Sequence, residues 1–76
     1  MKTIRVGVRC GNRVWWENYD ETSWKWDEAI ATQEDAERWA KKILAKFNQR
    51  EEFRYGTQAV LRTIVAVEFK KMEDGR

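Results

Sequence analysis

The sequence predicts an α+β domain, a small β-β-β-α-β unit in which one helix covers one face of a mainly antiparallel four-stranded sheet. Two observations carry this prediction. Apolar and polar residues alternate near both ends of the chain, and a capped segment between them repeats its apolar residues every three or four positions. The 76 residues form one domain, 1–76, and a single helix leaves the other sheet face open.

The first two strands are predicted to form a hairpin. Arginines alternate in the first strand with the apolar residues Ile4, Val6 and Val8. Gly11 and Asn12 are a two-residue turn signal, and this turn places Val8 opposite Trp15 and Gly7 opposite Trp16. Directly paired residues share a face, so Trp15 is expected against the helix and Trp16 on the other face, over Gly7.

A third strand is predicted from about residue 24 to residue 31. Trp24, Trp26 and Ile30 would then share one side of it and enlarge the core. A loop in this segment is the alternative.

The helix is predicted from about Gln33 to Asn48. Thr32 followed by Asp35 resembles a capping box, in which each residue satisfies backbone amides at the start of a helix. One face is apolar and is expected to be buried, with Ala36, Trp39, Ala40, Ile43, Leu44 and Phe47. The opposite side is expected in solvent, with Arg38, Lys41, Lys42, Ala45 and Lys46.

A polar loop and a last strand are predicted to follow the helix. The loop NQREEFRYGT contains Gly56, which can supply a positive φ, and AVLRTIVAVEF has the pattern of a strand. If the alternation of side chains between the two faces of the hairpin continues into this strand, Arg62, Ile64 and Ala66 lie on the open face of the sheet, which is its outer face.

Chemistry-bearing residues are sparse, so we expect no enzyme, no cofactor and no metal site. The chain has no histidine and a single cysteine, Cys10, whose place at a strand end suits a small, partly buried residue. Ser23 has no nucleophile motif around it. No apolar run approaches the roughly 20 residues of a membrane span, and a cytoplasmic location without membrane contact is expected.

The predicted site is therefore a surface, the open sheet face. It is apolar in the middle and basic at its edges, and its candidate partner-binding residues are Arg5, Arg9, Val14, Trp16, Arg62 and Ile64. Exposed tryptophan and arginine are frequent interface anchors, which favours docking on a partner protein or nucleoprotein complex. Two alternatives stay open, a nucleic-acid platform for RNA or single-stranded DNA and a homodimer contact. Eight acidic residues in the range 17–37 would repel a long polyanion, which counts against the nucleic-acid alternative.

Half of the chain resembles a pattern found in short phage-encoded proteins. A threonine-capped acidic helix ending in Phe-Asn precedes a strand ending in Val-Glu, and the matching residues are Thr32, Glu34, Ala36, Trp39, Phe47, Asn48, Val67 and Glu68. Such proteins include inhibitors of host defence complexes, the anti-CRISPR proteins, which act by occupying a host protein or its nucleic-acid groove. The resemblance implies an inhibitor of this class in the host cytoplasm and transfers no site residues.

Overall fold

The computed structural model describes residues 1–71 and has one helix packed on a three-stranded antiparallel sheet. The elements are β1 (Lys2–Cys10), β2 (Arg13–Asp20), α1 (Gln33–Tyr55), a short 3-10 turn (Gly56–Gln58) and β3 (Arg62–Lys71). The strand order is β2-β1-β3, so β1 is central. The α+β class is confirmed, whereas the predicted four-stranded sheet is not found, because residues 1–71 form three strands and no strand lies between residues 24 and 31.

The hairpin of β1 and β2 has the predicted register. Val8 pairs with Trp15 and Gly7 pairs with Trp16, and the turn lies at Gly11 and Asn12. Gly11 has a φ of 63°, a conformation that favours glycine. The turn chemistry therefore determines which tryptophan faces the helix.

Residues 21–32 form a looped segment and not the predicted third strand. Asp20 accepts a hydrogen bond from the Thr22 amide and Asp27 accepts one from the Ala29 amide, both at 2.9 Å. These local bonds favour turns over an extended chain. Trp24 is consequently 87% exposed and lies outside the core, which corrects its predicted burial.

Helix α1 begins where the sequence predicts it and ends later. Thr32 accepts from the Asp35 amide at 3.1 Å, and the Asp35 carboxylate accepts from the Thr32 amide, which completes the capping box. The helix continues to Tyr55 because the predicted loop contains good helix formers and no breaker before Gly56. Gly56, with a φ of 60°, ends it.

An irregularity in β3 inverts the predicted faces at its start. Gly7 pairs with Ala66 but Val8 pairs with Ile64, so Val65 is an extra residue, a β-bulge. Ile64 packs against the core, and Arg62 stacks on the Phe47 ring of the helix at 3.8 Å. The predicted outer-face placement of Arg62 and Ile64 is therefore wrong, while that of Ala66 is right.

The core lies between α1 and the inner face of the sheet. Its buried residues are Ile4, Val6, Val8, Ile30, Ala36, Trp39 and Ala40. Of the three strands, β3 lies closest to α1. Two helix side chains form hydrogen bonds with the backbone at the outer edge of β3. Gln33 bonds the backbone of Val67 and Phe69, and Asn48 bonds that of Arg62. In residues 1–71 no helix is long and apolar enough to cross a membrane.

Candidate functional site

The outer face of the sheet presents Trp16 at its centre. The indole lies over Gly7, where a β-carbon would be 3.4 Å from two atoms of the ring. The Arg5 guanidinium stacks on the same indole, 4.4 Å from the ring centroid. A cation over an aromatic face contributes about 0.5–1 kcal/mol at an exposed site, so the ring is held in place while remaining 40% exposed.

Apolar and basic side chains surround this indole on the outer face, whose central residues are Arg5, Gly7, Arg9, Val14, Trp16, Val65, Ala66 and Glu68, with the polar Asn18 and Thr63 beside them. Val14 and Val65 are 52% and 55% exposed, and the bulge is what turns Val65 outward. Arg5 also forms an ion pair with Glu68 at 3.4 Å. The outer face thus carries one carboxylate beside the arginines and is apolar between them.

The outer face brings together part of the predicted site. Arg5, Arg9, Val14 and Trp16 lie there, all on the paired strands β1 and β2. Arg62 and Ile64 do not join them, because both lie on the helix side of the sheet. Val65 is an outer-face residue that the sequence reasoning missed, since a bulge leaves no periodic signal in one sequence.

A groove of about 700 Å³ opens on the opposite side of β2, between that strand and the second half of α1. We call it the inner groove, and it is lined by Glu17, Asn18, Tyr19, Trp24, Lys25, Ile43, Leu44, Lys46, Phe47, Arg50 and Arg62. Its floor is aromatic and aliphatic, and its ionisable residues other than Tyr19 are four bases and one acid. The sequence reasoning missed this groove because it expected a third strand from Trp24 to Ala31.

Glu17 organises the sheet side of the inner groove. It accepts hydrogen bonds from the Trp15 indole at 2.9 Å and from the Tyr19 hydroxyl at 2.7 Å, and Arg62 lies 3.6 Å away. Burial raises the pKa of the Glu17 carboxyl, but these two hydrogen bonds, with Arg62 and Lys25, outweigh it and the pKa lies below its usual value. Burial and the bond to Glu17 raise the pKa of Tyr19 to about 12.

The free edge of β2 lies between the outer face and the inner groove. In a hairpin closed by a two-residue turn, alternate residues turn their backbone groups away from the partner strand. Asp20 shows which residues these are, because its amide donates to the Ser23 hydroxyl and its carbonyl accepts from the Ser23 amide. By the same alternation Val14, Trp16 and Asn18 point their N–H and C=O groups outward. No other residue of the described part, 1–71, bonds these groups.

Across positions 1–71, no group of three or more histidine, cysteine, aspartate or glutamate residues is placed to hold a metal ion. Cys10 is half-buried at the end of β1, and its thiol lies 3.8 Å from the Val60 carbonyl. Residues 1–71 present three surface features that a partner can contact: the outer face, the inner groove and the edge between them.

Comparisons with known proteins add no relative. No protein-family model matches the chain, and no curated protein or solved structure is detectably similar to it.

Proposed function

We propose that this chain is a non-enzymatic binding protein that docks on a partner protein, free or within a nucleoprotein complex, through the outer face. The observation that carries the proposal is the held indole of Trp16, fixed between Gly7 and Arg5 and 40% exposed. A pre-positioned tryptophan ringed by apolar and arginine side chains has the composition of an interface hot spot. Because the ring is already ordered, little further entropy is lost when a partner covers it.

The position of the basic residues favours a protein partner over nucleic acid. Lys41 and Lys42 are exposed on the solvent side of α1, on the opposite side of the sheet from Trp16. Arg62, a candidate residue of the predicted site, lies under the helix, and Glu68 pairs with Arg5. A nucleic-acid strand whose base stacked on Trp16 would therefore find few free cations to neutralise its phosphates. The nucleic-acid alternative, the homodimer and the resemblance to phage inhibitors stay predictions.

The test is capture of a partner from nuclease-treated host lysate by the tagged protein. We expect Trp16→Ala to weaken capture by at least ~2 kcal/mol, as truncation of a hot spot does. Phe53→Ala is the matched control, since this ring is 94% exposed near the end of α1, away from the outer face.

Two results would overturn the proposal. Capture that disappears with nuclease would indicate nucleic acid as the ligand. A solution mass of twice the monomer that reverts to the monomer in Trp16→Ala would show that the outer face closes on a second copy of the chain.

A further inference from the structure

The two edges of the sheet differ in how far they are closed. At β3, the Gln33 side chain donates to the Val67 carbonyl at 2.7 Å and accepts from the Phe69 amide at 3.0 Å. Asn48 forms the same pair of bonds with Arg62, both at 2.9 Å. These side-chain amides form the hydrogen bonds that a neighbouring strand would form, and they therefore protect this edge of the sheet. The β2 edge has no such cover along Val14, Trp16 and Asn18 from any residue in 1–71.

The charges beside the open edge are mostly positive. Lys25, Lys46 and Arg50 line the inner groove. Its one carboxylate, Glu17, is already bonded by Trp15 and Tyr19 and lies near Arg62. A ligand entering the groove therefore meets the cations of Lys46 and Arg50 and a neutralised acid, which favours an acidic occupant.

The groove reaches the open edge itself. Asn18 is among its lining residues although the side chain of Asn18 belongs to the other face of the strand. A peptide strand paired with β2 would direct alternate side chains to opposite faces. One set would enter the inner groove and the other would lie beside Val14 and Trp16 on the outer face.

We propose that the partner binds by adding an extended acidic segment as a fourth strand to the open edge of β2. Its acidic side chains enter the inner groove and its apolar ones contact Trp16. This inference rests on the proposed function and names the form in which the partner binds. The mode is β-strand addition, in which backbone hydrogen bonds supply affinity and the alternating side chains supply specificity.

A blocked peptide of alternating valine and glutamate, about six residues long like an ordinary strand, is the probe. In an amide NMR titration we expect the amides of Val14, Trp16 and Asn18 to shift and to gain protection from hydrogen exchange. The amides of Trp15 and Glu17, which already bond β1, should gain none. The matching valine and lysine peptide should bind at least about tenfold more weakly, and salt should weaken the glutamate peptide.

Three results of this titration would overturn the proposal. They are no binding of the glutamate peptide, equal binding of the lysine peptide, and shifts confined to the groove lysines without protection of the edge amides.

Variants separate the backbone bonds from the charges. Asn18→Pro removes one outward N–H and no bond to β1, whereas Asn18→Ala keeps that N–H. We expect the proline variant alone to lose about tenfold in affinity for the glutamate peptide. Lys46→Glu should weaken binding, and Lys41→Glu, an exposed helix lysine outside the groove, should not. An unchanged unfolding midpoint shows that each variant is folded, and a folded Asn18→Pro variant with full affinity would overturn the proposal.

Partner capture distinguishes failure of this inference from failure of the proposed function. If Trp16→Ala abolishes capture while folded Asn18→Pro retains it, the outer face binds the partner and strand addition is wrong. If neither variant affects capture, the proposed function fails as well.

Discussion

The indole of Trp16 lies directly against Gly7, the residue paired with it across the hairpin. A β-carbon at position 7 would be 3.4 Å from two ring atoms and 3.5 Å from the Ala66 amide nitrogen, which is ordinary contact. The space above Gly7 therefore accommodates a methyl group at contact distance. The exposed tryptophan of the outer face is held by this close fit as well as by Arg5.

Substitutions of Gly7 should show how closely the ring fits. We expect Gly7→Ala to change the free energy of unfolding by less than about 1 kcal/mol, because it fills contact distance and removes the entropic cost of glycine in a strand. Gly7→Val should cost about 1–3 kcal/mol, since its branches displace the indole. Urea unfolding and tryptophan fluorescence measure both effects. Equal stability of the two variants would contradict the close packing of the Trp16 indole on Gly7.

Arg62 should contribute to stability because it lies between the sheet and the helix. Its guanidinium stacks on Phe47 and lies 3.6 Å from Glu17, with the Arg62 side chain 27% exposed. We expect Arg62→Ala to cost about 1–2 kcal/mol through lost stacking and a weakened ion pair.

Arg9→Ala is the control for Arg62, since Arg9 is exposed on the outer face. It should change the free energy of unfolding by no more than about 0.5 kcal/mol. Chemical denaturation measures the free energy of unfolding of both variants. If Arg62→Ala loses no more than Arg9→Ala, Arg62 lies on the outer face, as the alternation in the sequence alone predicts.

These two arginines show why part of the site was predictable and part was not. Arg9 follows from the hairpin, because a two-residue turn at Gly11 and Asn12 determines every pairing and every face up to Asp20. The predicted face of Arg62 depends on counting alternate residues along β3 across Val65. Because Val65 is one extra residue in this strand, the count gives the wrong face.

The helix was predictable and the looped segment was not, although local contacts shape both. Thr32 and Asp35 cap the helix through contacts three residues apart, which the sequence displays. The exposure of Trp24 depends instead on turns at Asp20 and Asp27, which compete with an alternating pattern that resembles a strand. The inner groove exists because no strand covers that side of β2, so it could not be predicted before this segment was known.

Asn48 should be needed for the docking of β3 on the helix. Its side-chain amide donates to the Arg62 carbonyl and accepts from the Arg62 amide, in a partly buried position. Asn48→Ala leaves both backbone groups without this partner, and we expect a loss of about 1–3 kcal/mol although alanine favours the helix. Gln49→Ala, at the exposed neighbouring position, should be neutral or slightly stabilising in the same thermal unfolding experiment. A stable Asn48→Ala variant would mean that water replaces both bonds.

Tyr19 should make the protein less stable in alkali within a defined range of pH. Its pKa is raised from an ordinary 10.0 to about 12, because burial and the bond to Glu17 favour the neutral phenol. The unfolded chain therefore releases this proton first, and the stabilisation is present below about pH 10 and is lost as pH rises towards about 12. Tyr19→Phe cannot ionise, so its free energy of unfolding should decline less steeply over this interval. Urea titrations of both proteins at several pH values measure the difference, and parallel curves would show that the phenol ionises equally in the folded and unfolded states.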